Sequence, residues 1–221
     1  MTQPQWDFLE DEFLTLSING ALQHSSTYKP TAGKKDPETL QRELRTGLCD
    51  IVARYSSEVG EGQHLENIQE LARRVNKSCA SFLNGDHLRF GVAQKALNLY
   101  LKYLWCVGKT RIPPPHCPFD GTVLERLRFQ DNWTDMDDVA IYLKWVRQAE
   151  TARNDAKCES LAEWELRAWN AAQPGGKAGC PRGETQHRPA ASAYGGSIPS
   201  VQRSAGETWR GATASRKRIG C

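Results

Sequence analysis

The chain has 221 residues with 29 Lys/Arg against 26 Asp/Glu, a size that suits one domain of ordinary dimensions with an appendage. Residues 171–221 hold eight basic and two acidic side chains, leaving 21 basic and 24 acidic in the first 170, so the body is mildly acidic and gives no support for a broad nucleic-acid footprint. Seven scattered cysteines without a CxxC pair argue against a disulfide framework or zinc ribbon and for a reducing, cytoplasmic setting.

The start, MTQPQWDFLEDEF, lacks the basic residues and apolar run of a signal peptide, and no segment approaches 18 uncharged apolar residues, so no membrane partner is expected. The first residues cluster Trp6, Phe8, Leu9, Phe13, Leu14, Leu16 and Ile18, which suits a short helix or two turns docking on a larger body. SSTYKPTAGKK (25–35) reads as an exposed linker, so residues 1–36 form a docking segment and linker. Asp36-Pro37 then caps and opens a helix with Leu40, Leu44, Leu48, Ile51 and Val52 on one face, ending near Tyr55. A second helix starts near 63, marked by Leu65, Ile68, Leu71, Ala72 and Val75, and runs as far as Asn84 at most.

Asn84-Gly85-Asp86 is a turn, and the helix GVAQKALNLYLKYLW follows, stopped by Gly108 and the Pro113–Pro115 run. DGTVLERL begins a further helix at Asp120. Thr134-Asp135-Met136-Asp137 has capping-box spacing with Asp in place of Glu, opening a helix with Val139, Ala140, Leu143 and Val146 inward. A last helix, about 157–170, carries Leu161, Trp164, Leu166 and Trp169. No alternating run is long enough for a strand. Residues 37–171 therefore form one all-α domain.

Residues 172–221 contain no leucine and half of the glycines. Such composition cannot bury enough apolar surface to offset roughly 1–2 kcal/mol of backbone entropy per residue. A disordered tail is expected, either a basic arm with non-specific nucleic-acid affinity or a segment without a role.

On a helical wheel Gln94, Lys95, Asn98 and Lys102 fall within about a quarter-turn, and apolar residues occupy the rest. So apolar a helix is central to its domain, and the polar stripe faces either solvent or a cleft. Asp120 suits a helix cap, a role that fixes a carboxylate and keeps it ionised. His116-Cys117, with Cys106, does not make a metal site, because adjacent ligands rarely share one ion and no second spaced pair completes four.

Gly91-Val92-Ala93-Gln94-Lys95 resembles the Gly-Val-Gly-x-Lys hairpin of the helix-hairpin-helix DNA glycosylases, with glycine, valine and lysine at the same offsets. Pro118-Phe119-Asp120, then Val123-Leu124, is similar to the aspartate element of that family. The resemblance spans about 62–130 and differs at Ala93, where the family has its second glycine. It implies a glycosylase with AP-lyase activity on duplex DNA, requiring no metal or cofactor. Lys95 would be the Schiff-base nucleophile, and Asp120 would stabilise the cationic sugar. Arg89, Gly91 and Ala93 would meet the DNA backbone, and Gln94, Asn98, Trp105, Phe119 and Trp133 would line the pocket of the extruded base. The competing expectations are a helical interaction module, with Lys95 solvated and Asp120 only a cap, and a DNA-binding protein without the chemistry.

Overall fold

A computed structural model describes residues 1–172; the expected tail lies beyond them. Seven α-helices make up the described chain: α1 (Gln3–Leu22), α2 (Asp36–Val52), α3 (Glu61–Cys79), α4 (Phe90–Cys106), α5 (Gly121–Arg126), α6 (Val139–Asp155) and α7 (Leu161–Ala172). Among the described residues there is no strand, only an isolated bridge between Tyr28 and Leu83. The fold class is all-α, as its periodicity predicts.

Helix α4 is the axis of the described domain: all but three of its 17 residues are buried. Helices α2 and α3 pair through Leu40, Leu44, Leu48 and Ile51 against Ile68, Leu71 and Val75, all fully buried. Gly47 permits that approach, since a Cβ there would lie 2.7 Å from Leu71 Cδ1. The 3₁₀ turn Ala53–Ser56 closes α2 and sets Tyr55 inward.

The N-terminal segment departs from expectation in its length: it is a single 20-residue helix, not a short one. It docks through Leu14, Ile18 and Ala21, which are buried within the shared core. Phe13 stacks on Tyr103 of α4 at 5.4 Å, while Phe8 and Leu16 face outward. Its apolar residues do not follow one helical stripe, which conceals the helix from a periodicity argument. Residues 25–35 are likewise tied down rather than free: Lys29 N–H donates to Phe82 O and Asn84 N–H to Thr27 O, each at 2.9 Å. Lys29 also pairs with Asp86 at 2.5 Å.

The capping box expected at Thr134 does not open α6. Asp138 is the cap, accepting from Ala140 N–H at 2.7 Å, and Trp133–Asp135 form a separate 3₁₀ turn. Shifting the helix start turns its inner face to Tyr142, Trp145, Val146 and Ala149, leaving Ala140 exposed. Asp137, the expected fourth residue of the box, serves α4 instead, accepting Phe90 N–H at 2.9 Å.

Among the described glycines, Gly91 has the least room for a side chain. Its N–H donates to Met136 O at 2.8 Å, and a Cβ would sit 1.7 Å from Trp133 O. Gly91→Ala is expected to cost about 3 kcal/mol or more, because backbone must move to admit one methyl. Gly62→Ala, in α3 with open space around it, should instead stabilise by about 0.5–1 kcal/mol. Urea titrations of the two variants check both signs.

Candidate functional site

The polar stripe of α4 faces neither solvent nor an open cleft; it is buried under α5, α7 and the segment 133–137. Lys95 is 8% exposed. Its Nζ lies 3.4 Å from Asp120 Oδ2 and 4.2 Å from the centroid of the Trp133 ring. Asp120 caps α5, accepting Val123 N–H on its other oxygen at 3.1 Å. Burial pulls the Lys95 pKa below its ordinary value, the Asp120 charge opposes that, and Lys102 adds a smaller push downward. An amine so placed is easier to deprotonate than a surface lysine, while Asp120, 20% exposed at its side chain, keeps one edge of the pair open to water.

Two turns along the stripe, Lys102 meets Glu165 of α7, with both carboxylate oxygens at 3.0 Å from Nζ. Both residues are under 10% exposed. Burial pushes the Glu165 carboxyl up and Lys102 opposes it. Glu165 interrupts the apolar face of α7 between Trp164 and Ala168, and only that interruption marks it in the sequence. Glu165 was not among the expected site residues.

Gln94 and Asn98 hold the Pro-rich loop onto α4. Gln94 Nε2 donates to Phe119 O at 2.7 Å and to Gly91 O at 2.9 Å, and its Oε1 accepts Phe119 N–H at 3.2 Å. Asn98 Nδ2 reaches Cys117 O, Gln94 Oε1 and the Tyr142 hydroxyl at 3.1–3.3 Å. From Asn98 a buried chain runs to two histidines. Asn67 donates to Tyr55 OH at 3.0 Å, and Tyr55 OH meets His64 Nδ1 at 2.7 Å. The His64 and His116 rings lie edge to face at 4.6 Å, and His116 Nδ1 meets Tyr142 OH at 2.8 Å.

One set of proton positions satisfies these contacts: each tyrosine O–H donates to a histidine Nδ1, so both rings are neutral and carry hydrogen on Nε2. His64 Nε2 and Asn98 Oδ1 are buried without a hydrogen-bond partner, and burial holds the His64 pKa well below its ordinary value. Burial drops the His116 pKa to about 4 and pushes the Cys117 thiol up.

Among the expected site residues, the structure brings together Lys95, Asp120 and Trp133. Phe119 is fully buried, edge-on to Tyr142, and Gln94 and Asn98 are fully buried and engaged internally; none of the three presents itself to a ligand. Trp105 stands ten residues along α4 from Lys95, about 15 Å by helical rise, outside the site. The residues expected to meet a DNA backbone are engaged within the fold. The Gly91 amide is taken by Met136 O, and Ala93 is buried with its amide bonded to Arg89 O. The Arg89 guanidinium pairs with Asp137. No amide of the Gly91–Lys95 turn therefore faces outward as a phosphate cradle.

Among the described residues no helix is long and apolar enough to cross a membrane, and no three His, Cys, Asp or Glu side chains converge on a metal position. No protein-family model, curated protein or solved structure matches the chain.

Removing one partner of the Lys102–Glu165 pair strands a buried charge, so Lys102→Met alone is expected to cost about 3–5 kcal/mol, whereas Lys102→Met with Glu165→Leu should recover most of it. A double-mutant cycle in urea measures the difference. The histidines give a pH signature. Their folded pKa values lie below the unfolded value of about 6.5, so the unfolded chain takes up protons first as pH falls. Stability should be complete above pH ~6.5 and decline by up to about 1.4 kcal/mol per pH unit for each histidine, until pH reaches about 4, where His116 itself titrates. The carboxylates whose pKa is lowered by pairing, among them Glu70 and Asp137, titrate only below about pH 4.5. Glu165, pushed up by burial, is protonated first in the folded state and adds a slope of opposite sign. The histidine part is therefore read by difference, and His116→Gln should lose less stability between pH 6.5 and 5 than the wild type.

Proposed function

We propose that the protein is a lysine-dependent DNA glycosylase with AP-lyase activity, Lys95 being the Schiff-base nucleophile and Asp120 its charge partner. The observation that supports this reading is the 3.4 Å approach of a lysine amine to a helix-capping carboxylate, in surroundings that lower the amine's pKa. Capping fixes the carboxylate, burial favours the neutral amine, and the two groups lie within one proton transfer of each other.

In the reaction, Lys95 attacks the sugar carbon C1′ as its bond to the base breaks, and the base leaves with the bonding electrons. Asp120 stabilises the positive charge that develops on the sugar and accepts a proton from the attached amine. Breaking of the C1′–O4′ bond, with the proton held by Asp120 passed to O4′, gives an imine. Loss of a proton from C2′ to water then breaks the C3′–O bond and releases the 3′ phosphate by β-elimination. Trp133, against which the amine rests, has to swing aside for a sugar to reach Nζ.

A second reading, a helical interaction module, is favoured by a different observation: the amides of Gly91 and Ala93 are consumed inside the fold. Lys95–Asp120 would then be a latch between α4 and α5 and nothing more.

Borohydride trapping on a duplex containing an abasic site separates the two. The wild-type protein should yield a covalent adduct and cleave the strand, Lys95→Gln should do neither while remaining folded by circular dichroism, and Lys109→Gln, a surface control, should behave as wild type. Asp120→Asn keeps the helix cap and should reduce base excision by about 10²–10³-fold. An absence of adduct on abasic and lesion-bearing duplexes, together with no gel shift at low salt, would leave the interaction module as the function.

A further inference from the structure

One cleft is far from neutral in its chemistry, and neither Lys95 nor Asp120 lines it. It measures about 430 Å³, within the range of small-molecule sites, roughly 300–1,000 Å³. Its walls come from the loop after the 3₁₀ turn, from the Pro113–Pro115 run, and from the junction of α6 and α7. Tyr55 and Leu101 form a buried apolar floor, with Val59 and Ile112 beside them. Three consecutive prolines hold one wall rigid, so the cleft exists before any ligand arrives.

Charge is distributed across it in two parts. On one side is Arg153, whose Nη2 donates to Asn154 Oδ1 at 2.8 Å and whose Nη1 reaches only the Glu159 carbonyl at 3.4 Å. Its Nε is buried with no partner, and among the described residues no carboxylate pairs with the guanidinium. A partly buried cation held only by neutral acceptors calls for a counter-ion. Helix α7 begins at the same wall with its opening turn already capped, Ser160 Oγ accepting Glu163 N–H at 3.1 Å and the Glu163 carboxylate accepting Glu159 N–H at 2.7 Å, which leaves Arg153 as the positive group of the cleft. The junction is fixed: Cys158 N–H donates to Arg153 O at 3.1 Å, and Lys157 takes the left-handed conformation that such a helix end requires. The other charges lining it are the carboxylates of Glu58, Glu150 and Glu159, none of them in an ion pair among the described residues.

We propose that this cleft binds a small zwitterion of the amino-acid class, its carboxylate on Arg153, its ammonium on Glu150 and Glu58, and an aliphatic body over Val59, Ile112 and Leu161. Anions alone would meet the acidic rim, and amines alone would leave Arg153 uncompensated; one molecule carrying both charges satisfies each. The inference is independent of the chemistry proposed for Lys95.

The test is calorimetric titration and thermal shift on the full chain with L-leucine and L-lysine, each alongside its N-acetyl and carboxamide derivatives, at up to 10 mM. Binding of at least one free amino acid is expected, lost on acetylation and lost on amidation. It should weaken at least about tenfold in Arg153→Gln and in Glu150→Gln, since each removes one charge-assisted contact. The unliganded midpoints of both variants control for folding, and the derivative series on wild-type protein stands if either variant is unstable. No binding by either free amino acid, equal binding of the derivatives, or binding unchanged by Arg153→Gln would overturn the proposal.

Discussion

The protein is organised around a helix that turns its polar side chains inward. Once α4 occupies the axis of the domain, Gln94, Lys95, Asn98 and Lys102 are withdrawn from water, and each must find a partner or lose more free energy than its burial can return. The surrounding elements answer that demand in turn. Phe119 and Cys117 offer backbone to the two amides, α5 offers Asp120, and α7 offers Glu165. The loop 113–119 and the helices α5 and α7 owe their places to these polar contacts as much as to apolar packing, because polar partners specify position where apolar surfaces only favour contact.

The segment 133–137 joins stability to the candidate site. Its Trp133 carbonyl presses on Gly91, its Met136 carbonyl takes the Gly91 amide, and its Asp137 carboxylate takes the Phe90 amide together with the side chains of His87 and Arg89. Those contacts satisfy the opening turn of α4, whose amides would otherwise lack acceptors. The same segment carries the indole against which Lys95 Nζ rests. Exposure of the amine and security of the helix end are thus coupled: a motion of 133–137 large enough to admit a ligand also loosens the start of α4.

The two ion pairs of the stripe differ in a way that separates structure from chemistry. Lys102 and Glu165 are enclosed on all sides, and a pair so enclosed fixes the docking of α7 without offering either group to a reactant. Lys95 and Asp120 retain a more exposed carboxylate and an amine with lowered pKa, the combination that reactive lysines require.

The sequence by itself determined the all-α class, the central place of α4, the turn at Asn84–Asp86 and the cap at Asp120, because helical periodicity and capping are local properties of a few adjacent residues. Lys95 and Asp120 were singled out together only by the resemblance of their surroundings to the helix-hairpin-helix glycosylases, and the structure places them 3.4 Å apart. Other features depended on contacts between distant segments. No local signal could show that the Gly91 amide would be taken by Met136, that Asp137 would cap α4 rather than α6, or that Glu165 would cross to Lys102. The length of α1 was hidden for a related reason, since Phe8 and Leu16 lie outside any single apolar stripe. Periodicity shows which face of a helix is polar, but whether that face meets water or another element is decided by packing, and here packing turned it inward.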